Sequence, residues 1–309
     1  LKERQRALDE VNKLAGEVLD LSFNAVALDK KVPEYDNRWP FRGLYPFRLE
    51  DQEFFFGREE LIGILQNKLK ETTFLAVLGA SGSGKSSLVL AGLIPALQKQ
   101  ESNLQWVYMT PKHNPLEQLE TTTAKIQGQP SVLIVDQFEE LFTLCTDKEL
   151  RQTFIKDLLT LVKKQQRIVI TMRADFWGEC APYPELKALM QSKQELIAPM
   201  DETQLRTAME KQAAKVGLRF EAGLSNTILD AVEGEPGAMP LLQHALWELW
   251  KQRHGRWLRY EEYKKFGGIE KAIATTADDV HGKLLPEEQK LMQNIFVRLT
   301  RLDIMDVKR

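Results

Sequence analysis

The sequence has little cysteine and histidine, and this scarcity argues against several classes of protein. Its 309 residues include only two cysteines, Cys145 and Cys180, and four histidines that lack metal-ligand spacing. With no CxxC pair, neither a disulfide framework nor a structural zinc site is indicated. Two isolated cysteines favour reduced thiols, so we expect a cytoplasmic protein whose stability comes from a packed core.

The sequence also lacks a strong net charge and long apolar runs. The formal net charge is −2, which gives no indication of a broadly basic nucleic-acid-binding surface. The apolar runs are far shorter than the roughly 20 residues that a membrane helix requires. We therefore expect no membrane partner and find no strong signal for nucleic-acid binding, although a local basic patch is compatible with this composition. The chain begins at Leu1 rather than methionine, so we expect it to be part of a longer protein.

Hydrophobic periodicity divides the chain into regions of different character. An amphipathic helix is predicted over Leu1–Phe23 and a proline-rich linker over Lys30–Pro46. Short apolar strands then alternate with helices, which predicts an α/β fold with a parallel sheet covered on both faces. After Met200 only helical patterns remain, beginning with Asp201 and Gln204 as a capping pair. Strands are predicted at 74–78, 104–109, 132–135, 167–171 and 195–198, and helices at 58–70, 85–98, 115–125, 148–164, 201–215, 222–232, 240–253, 269–283 and 286–300.

A glycine-rich motif follows the first predicted strand. The run Gly79-Ala80-Ser81-Gly82-Ser83-Gly84-Lys85-Ser86 fits GxxxxGK[ST] between a strand and a helix, which is the context of a P-loop. Its glycines let the backbone curl so that several N–H groups point inward at the positive end of a helix dipole. Lys85 would bind the β- and γ-phosphates, and the Ser86 hydroxyl would ligate Mg²⁺. We therefore predict a site for ATP or ADP formed by this run and the following Ser87.

Acidic residues follow another predicted strand, in the stretch SVLIVDQFEEL. Asp136 comes directly after Val132–Val135, where a P-loop protein needs an acid to hold Mg²⁺ opposite Ser86. Glu139 and Glu140 follow at a spacing suited to polarising the attacking water. The simpler interpretation of the two glutamates is a solvated first turn of a helix. The residues alone do not decide which of the two would be catalytic.

Arg173 follows the strand predicted over residues 167–171. A basic side chain just beyond the carboxyl edge of a parallel sheet would lie near the γ-phosphate. It could sense that phosphate or stabilise its charge. The simpler alternative is a surface ion pair between Arg173 and Asp175.

The order of these motifs resembles that of the novel STAND NTPases of bacteria, signal-transduction ATPases related to the AAA+ and NACHT groups. The segments that carry the resemblance are YPF at residues 45–47, FFFGRE at 54–59, DQFEEL at 136–141, MRADF at 172–176 and MPLL at 239–242, together with the P-loop. The resemblance covers about residues 41–300. It implies a P-loop NTPase core over 41–200, a helical lid over 201–268, and a winged-helix region that begins at 269 and is cut short at 309. Residues 1–40 would be an N-terminal helix and linker.

The resemblance also implies roles for individual residues. Phe56, Gly57 and Arg58 are similar to the motif that packs near the adenine in this family. Pro240 matches the proline of the helical domain that touches the base, although Ala238 stands where the family usually has glycine.

The remaining implied roles belong to the acids and to Arg173. Asp136 matches the Walker B aspartate, and Glu139 with Glu140 matches the acidic pair of NACHT-like proteins, with a slight preference for Glu140 as the residue that orients water. Arg173 matches the arginine after the sensor strand. With Lys85, these residues form the expected catalytic set.

The function implied by the resemblance is a nucleotide-controlled switch. ADP would hold the resting form, and ATP would favour self-association that activates effector or sensor domains in the same longer chain, such as WD repeats, in bacterial signalling or antiviral defence. Slow hydrolysis would reset the switch. The alternatives left open are a nucleic-acid-dependent ATPase, a small-molecule kinase, and a P-loop scaffold that does not hydrolyse.

Overall fold

A five-stranded parallel sheet is the central feature of the computed structural model, which describes residues 37–126, 131–232 and 237–299. The strand order is β2-β3-β4-β1-β5, so β4 lies between β1 and β3. The strands are β1 Phe74–Gly79, β2 Gln105–Met109, β3 Ser131–Val135, β4 Arg167–Arg173 and β5 Gln194–Ile197. The predicted α/β fold is confirmed, and all five predicted strands are present with boundaries shifted by a residue or two.

Helices surround the sheet and make up most of the described chain after Met200. They are α1 Glu59–Glu71, α2 (α-helical Lys85–Ser87, π-helical Leu88–Leu93 and α-helical Ile94–Gln100), α3 Pro115–Thr123, α4 Glu140–Thr143, α5 Lys148–Lys163, α6 Pro184–Ser192, α7 Glu202–Lys215, α8 Leu224–Asp230, α9 Ala238–Lys251, α10 Tyr260–Lys265, α11 Gly268–Lys283 and α12 Pro286–Leu299. The sequence prediction missed α6, α10 and two 3-10 helices, Leu49–Phe54 and Ala174–Cys180. The helix predicted over residues 1–23 lies outside the described residues. Within the described residues, no helix is both long and apolar enough to cross a membrane.

The two faces of the sheet carry separate hydrophobic cores. Leu75, Val77 and Ile134 point to the face covered by α1 and α2. Ala76 and Leu133, the alternate residues, point to the face covered by α5 and α6. Because successive side chains of a strand face opposite sides, a strand buried on both sides is apolar throughout. This explains why β1 and β3 could be recognised as continuous apolar runs.

The helical region after Met200 contains a strand pair that the sequence did not predict. Arg219–Phe220 (β6) pairs in parallel with Trp257–Leu258 (β7). Each strand is only two residues long, which is too short to produce an alternating pattern. The predicted cap of α7 is confirmed, since Asp201 Oδ1 accepts from the N–H of Gln204 and the Gln204 side chain accepts from the N–H of Asp201.

The segment before the sheet packs its aromatic residues into the helical region. Phe41, Phe47 and Phe54 are buried in the same core as α7, α8 and α9. Trp39 stacks edge-on against Trp250, with ring centroids 5.8 Å apart. The chain therefore passes through the helical region before it enters the sheet.

Two buried glutamines join this segment to the helical region. Gln212 of α7 donates to the carbonyl of Phe54 at 3.0 Å, and Gln243 of α9 donates to Gln212 Oε1 at 2.9 Å. The chain of bonds ends at the N–H of Arg42, which donates to Gln243 Oε1 at 3.3 Å. We call Gln212 and Gln243 the amide pair. Because both side chains are almost fully buried, water cannot replace these bonds.

We predict that Gln212→Ala lowers the free energy of unfolding by about 2 kcal/mol, because the carbonyl of Phe54 loses its buried donor. Urea denaturation followed by circular dichroism measures the change. Gln191→Ala, on the exposed surface of α6, is the matched control and should lose little. Equal losses in the two variants would contradict the role given to the amide pair.

Candidate functional site

The P-loop connects the carboxyl end of β1 to the start of α2. Gly82 and Gly84 have φ angles of +73° and +84°, a conformation that favours glycine. The ammonium group of Lys85 lies over the loop and donates to the carbonyls of Gly79 (3.1 Å) and Ala80 (2.7 Å). The lysine predicted to bind phosphate is therefore at the loop, with its charge held by backbone oxygens.

The charge of Lys85 is balanced by nearby acids. Burial lowers the pKa of Lys85 from its ordinary value, while the negative charges of Glu139 and Asp136 act in the opposite direction. Burial destabilises the charged form of a lysine, and a nearby negative charge stabilises it. A bound triphosphate would supply such a negative charge.

Two serines of the P-loop region have contrasting surroundings. The Ser83 hydroxyl is buried and finds no hydrogen-bond partner among the described residues. An unpaired polar atom inside a P-loop fits a site whose ligand supplies the missing bond. Ser87, by contrast, accepts the N–H of Phe47 at 3.0 Å, so its predicted place in the nucleotide site is shared with a structural bond to the segment before the sheet.

Asp136 lies at the centre of a set of hydroxyl groups. Its Oδ1 accepts from Ser86 at 2.8 Å and also from Thr171, and its Oδ2 accepts from Tyr108 at 2.9 Å. The predicted metal ligands Ser86 and Asp136 are thus in direct contact. Burial, together with the charge of Asp136, raises the pKa of Tyr108, so its hydroxyl stays a donor.

The contact between Ser86 and Asp136 fits a magnesium site. A hydroxyl and a carboxylate oxygen are the hard oxygen ligands that Mg²⁺ prefers. Among the described residues no group of three or more acidic, histidine or cysteine side chains could enclose a metal by itself. Magnesium bound here would therefore complete its coordination with phosphate oxygens and water, which is its usual behaviour in nucleotide sites.

A turn of unusual backbone geometry follows Asp136. Gln137 has a φ of +52°, and its N–H donates to Thr171 Oγ1 at 3.1 Å. The turn brings Glu139 back toward the loop, where its Oε2 accepts from the N–H of Arg173 at 3.2 Å. A non-glycine residue held in the left-handed region is a feature often found at functional sites.

The structure shows different surroundings for Glu139 and Glu140, which the sequence could not distinguish. Glu139 lines the cavity described below, and among the charged groups it has the strongest effect on the pKa of Lys85. Glu140 begins α4, and its Oε2 instead accepts from the N–H of Lys112 at 3.2 Å, at the exit of β2. The slight preference for Glu140 as the water-orienting residue is therefore not supported by this geometry, which favours Glu139.

Arg173 lies at the cavity, but its guanidinium group is engaged with a neighbour. It forms a two-point contact with Asp175, with distances of 3.1 and 2.6 Å, and stacks over Phe176. This contact raises the pKa of Arg173 and lowers the pKa of Asp175. The surface pair considered from the sequence is present, and the sensing role stays a prediction.

The FGR segment lies where the core meets the helical region. A Cβ atom on Gly57 would be 2.6 Å from the backbone oxygen of Gln204 in α7, and the φ of Gly57 is +87°. Arg58 is buried and donates to the carbonyl of Ala198 at 2.8 Å and to Gln204 Oε1 at 3.4 Å. Burial lowers its pKa, and the charge of Asp201 opposes that effect. Phe56 is half-buried beside the cavity.

Most of the predicted residues line a cavity of about 300 Å³, a size at the lower end of small-molecule sites. The predicted residues that do not line it are Gly57, Gly79, Ala80, Asp136 and Glu140. Its floor is the P-loop and its walls come from the acidic turn, the segment at 43–47, the aromatic pair Phe55 and Phe56, and the first turn of α9. The residues lining it include Ser81, Gly82, Ser83, Gly84, Lys85, Ser86, Ser87, Glu139, Thr171, Arg173, Phe56, Arg58, Gln212, Met239, Pro240 and Gln243.

Pro240 closes this cavity against the P-loop. A Cβ atom on Gly82 would lie 3.0 Å from Pro240 Cγ, so the helical region touches the loop directly. A second cavity of about 840 Å³ lies between the P-loop and residues of α7, α8 and α9, and Arg58 and Met239 line both cavities. Ser81, Gly82 and Ser83 of the P-loop also line both cavities.

Sequence reasoning missed several residues of the site. Tyr108 and Thr171 contact Asp136, and the amide pair lines the cavity, yet none of them was predicted as a site residue. Thr171 directly precedes the MRADF segment, whereas Tyr108 and the amide pair stand in no recognisable motif. The only available signal was position, because Tyr108 and Thr171 both stand near the carboxyl ends of predicted strands.

Comparison with known proteins gives a family match and a shared fold. The family model described as novel STAND NTPase 1 matches residues 40–309. No curated protein matches the chain. The Aeropyrum pernix ORC1 protein, whose structure was solved in complex with DNA, is similar at a TM-score of 0.58 with 14% identity, over 84% of this chain and 77% of that chain. Domain III of the Thermotoga maritima replication initiation protein DnaA has a TM-score of 0.52 and 15% identity, over 78% of this chain and 98% of that chain.

We predict that Gly57→Ala is strongly destabilising, because the new methyl group meets the backbone of α7. The left-handed backbone alone should cost about 1–2 kcal/mol. Gly223→Ala is the matched control, since Gly223 has a φ of +85° and open space around it. Thermal and urea unfolding of both variants measures how much more unfolding free energy is lost at Gly57 than at Gly223. Equal losses of unfolding free energy would show that α7 does not constrain Gly57.

Proposed function

Because the chain belongs to the novel STAND NTPase 1 family, we propose that it binds and slowly hydrolyses ATP as a molecular switch. In this proposal ADP holds a closed resting form and ATP favours an open form that self-associates and controls an effector or sensor domain, in bacterial signalling or antiviral defence. The two described cysteines are free thiols, in keeping with the cytoplasm as the proposed location.

One observation carries this proposal: the helical region touches the P-loop through Pro240 and Gly82. A ligand that fills the cavity must therefore meet both the P-loop and the first turn of α9. A ligand can shift a conformational equilibrium only if it binds the two states with different affinity. The γ-phosphate, which ADP lacks, would add contacts on the P-loop side of the cavity. ATP and ADP would then differ in how strongly each favours one conformation over the other.

The proposed chemistry assigns one task to each residue. Lys85 and the P-loop N–H groups bind the phosphates, and Glu139 orients the attacking water from the wall of the cavity. Ser86 and Asp136 would hold Mg²⁺, which supplies charge neutralisation for the phosphate oxygens. Arg173 would leave Asp175 for the γ-phosphate. In this proposal the base and ribose are bound beside Phe56, Arg58 and Pro240, which line the first cavity, and beside the neighbouring Gly57.

We predict that Lys85→Ala weakens ATP and ADP binding roughly 10- to 100-fold, because a charged group loses its hydrogen bonds to phosphate. Isothermal titration calorimetry measures the dissociation constants. Lys163→Ala removes an exposed lysine from the far end of α5 and serves as the control. Wild-type affinity in Lys85→Ala would show that nucleotide binds elsewhere.

We predict different outcomes for the two glutamates. Glu139→Gln should lower turnover by about 100-fold or more while ATP stays bound, because the amide cannot act as a base. Glu140→Gln keeps an acceptor for the N–H of Lys112, so its turnover should fall much less. Phosphate release and ATP binding are measured for both variants. The reverse ranking would return the role to Glu140.

ATPase assays with and without DNA or RNA separate the switch from a nucleic-acid-dependent ATPase. The switch proposal expects no stimulation by nucleic acid, and strong stimulation would count against it. The nucleotide that copurifies with the protein gives a further check, because a resting switch should retain ADP. An empty site with rapid exchange would instead indicate an enzyme that cycles continuously.

A further inference from the structure

Tyr108 reaches the acidic centre of the site from the edge of the sheet. It is the fourth residue of β2, which is an edge strand, and it pairs in register with Ile134 of β3. Its side chain is 40% exposed, yet its hydroxyl donates to Asp136 Oδ2 at 2.9 Å. An exposed ring whose polar tip is fixed on a buried carboxylate is positioned for that contact and not for packing alone.

The contact of Tyr108 differs from the other two contacts of Asp136. Ser86 and Thr171 both donate to Oδ1, whereas Tyr108 donates to Oδ2. A carboxylate that accepts hydrogen bonds at only one oxygen can still rotate about the Cβ–Cγ bond. Bonds at both oxygens define the plane of the carboxylate, and with it the direction in which a metal ion could be bound.

The exit of β2 is fixed by two further hydrogen bonds, at residues that follow Tyr108 in the chain. The N–H of Asp136 donates to the carbonyl of Met109 at 2.9 Å, and the N–H of Lys112 donates to Glu140 Oε2 at 3.2 Å. Lys112 has a φ of +53°, so the chain turns sharply where Glu140 binds it. These contacts leave Tyr108 little freedom to move away from Asp136.

We propose that Tyr108 is a positioning residue for magnesium: its hydroxyl fixes the Asp136 carboxylate in the orientation that receives the ion beside Ser86. This proposal rests on the nucleotide site proposed above. Glu140 has an indirect part, because it holds the turn after β2 through Lys112. Partners of metal ligands commonly change metal affinity by about 10- to 100-fold when they are removed.

Tyr108→Phe tests the proposal because it removes one oxygen atom and keeps the exposed ring. Mn²⁺ is used as the probe in place of Mg²⁺, and its binding is measured by electron paramagnetic resonance in the presence of ADP. The dissociation constant for Mn²⁺ should rise about 10-fold in Tyr108→Phe. The affinity for ADP measured in EDTA should change by less than about 2-fold, since the P-loop contacts do not involve Tyr108. Tyr260→Phe, at the start of α10, is the matched control and should leave both values as in the wild type.

Each possible result supports or overturns the proposal. Unchanged Mn²⁺ affinity in Tyr108→Phe would overturn it while leaving the nucleotide site intact. An equal loss of ADP affinity in EDTA and of Mn²⁺ affinity would also overturn it, because Tyr108 would then support the site as a whole. If the wild-type protein bound no ADP in either condition, the proposed nucleotide site would fail first, and the role of Tyr108 with it.

Discussion

The carboxylate of Asp136 joins four parts of the chain at one edge of the sheet. It stands at the end of β3 and accepts hydrogen bonds from the P-loop helix after β1, from β2 and from β4, through Ser86, Tyr108 and Thr171. Because Asp136 is buried, a missing donor would leave charge without compensation. The register of the parallel strands therefore has to bring the hydroxyl groups of Tyr108 and Thr171 to the point that Ser86 reaches from the helix after the P-loop. The same register brings Lys85, Glu139 and Arg173 to the edges of the same cavity.

A second constraint lies between this edge and the helical region. The amide pair connects the segment before the sheet with helices α7 and α9, and Arg58 connects the same segment with the chain just after β5. Pro240 of α9 lies close enough to the P-loop that a Cβ atom on Gly82 would be 3.0 Å from its Cγ. A change in the position of α9 must therefore alter the walls of the cavity, and a ligand in the cavity must act on α9. This reciprocity is what linkage requires of a nucleotide-controlled switch.

The part of the site that could be predicted from sequence is the part encoded locally. The P-loop and Asp136 each follow a fully buried strand, so apolar runs and adjacent motif residues were sufficient to find them. Tyr108, Thr171 and the amide pair depend on neighbours from other strands or helices, and no periodic pattern encodes such pairings. Glu139 and Glu140 are adjacent and chemically alike. Glu139 faces the cavity and follows a left-handed turn at Gln137, and glutamine gives no signal for that conformation.

The present partners of Lys85 and Arg173 also bear on how readily a nucleotide could be bound. Arg173 pairs with Asp175 at a largely exposed position, where an ion pair contributes about 0–1 kcal/mol. Exchanging Asp175 for a phosphate would therefore cost little, so the pair does not argue against a sensing role. Lys85 differs, because it is buried and bonded to two carbonyls of the loop itself. A phosphate that draws Lys85 away must also reorder the loop, which ties phosphate binding to the conformation of Gly79 and Ala80 and so to the end of β1.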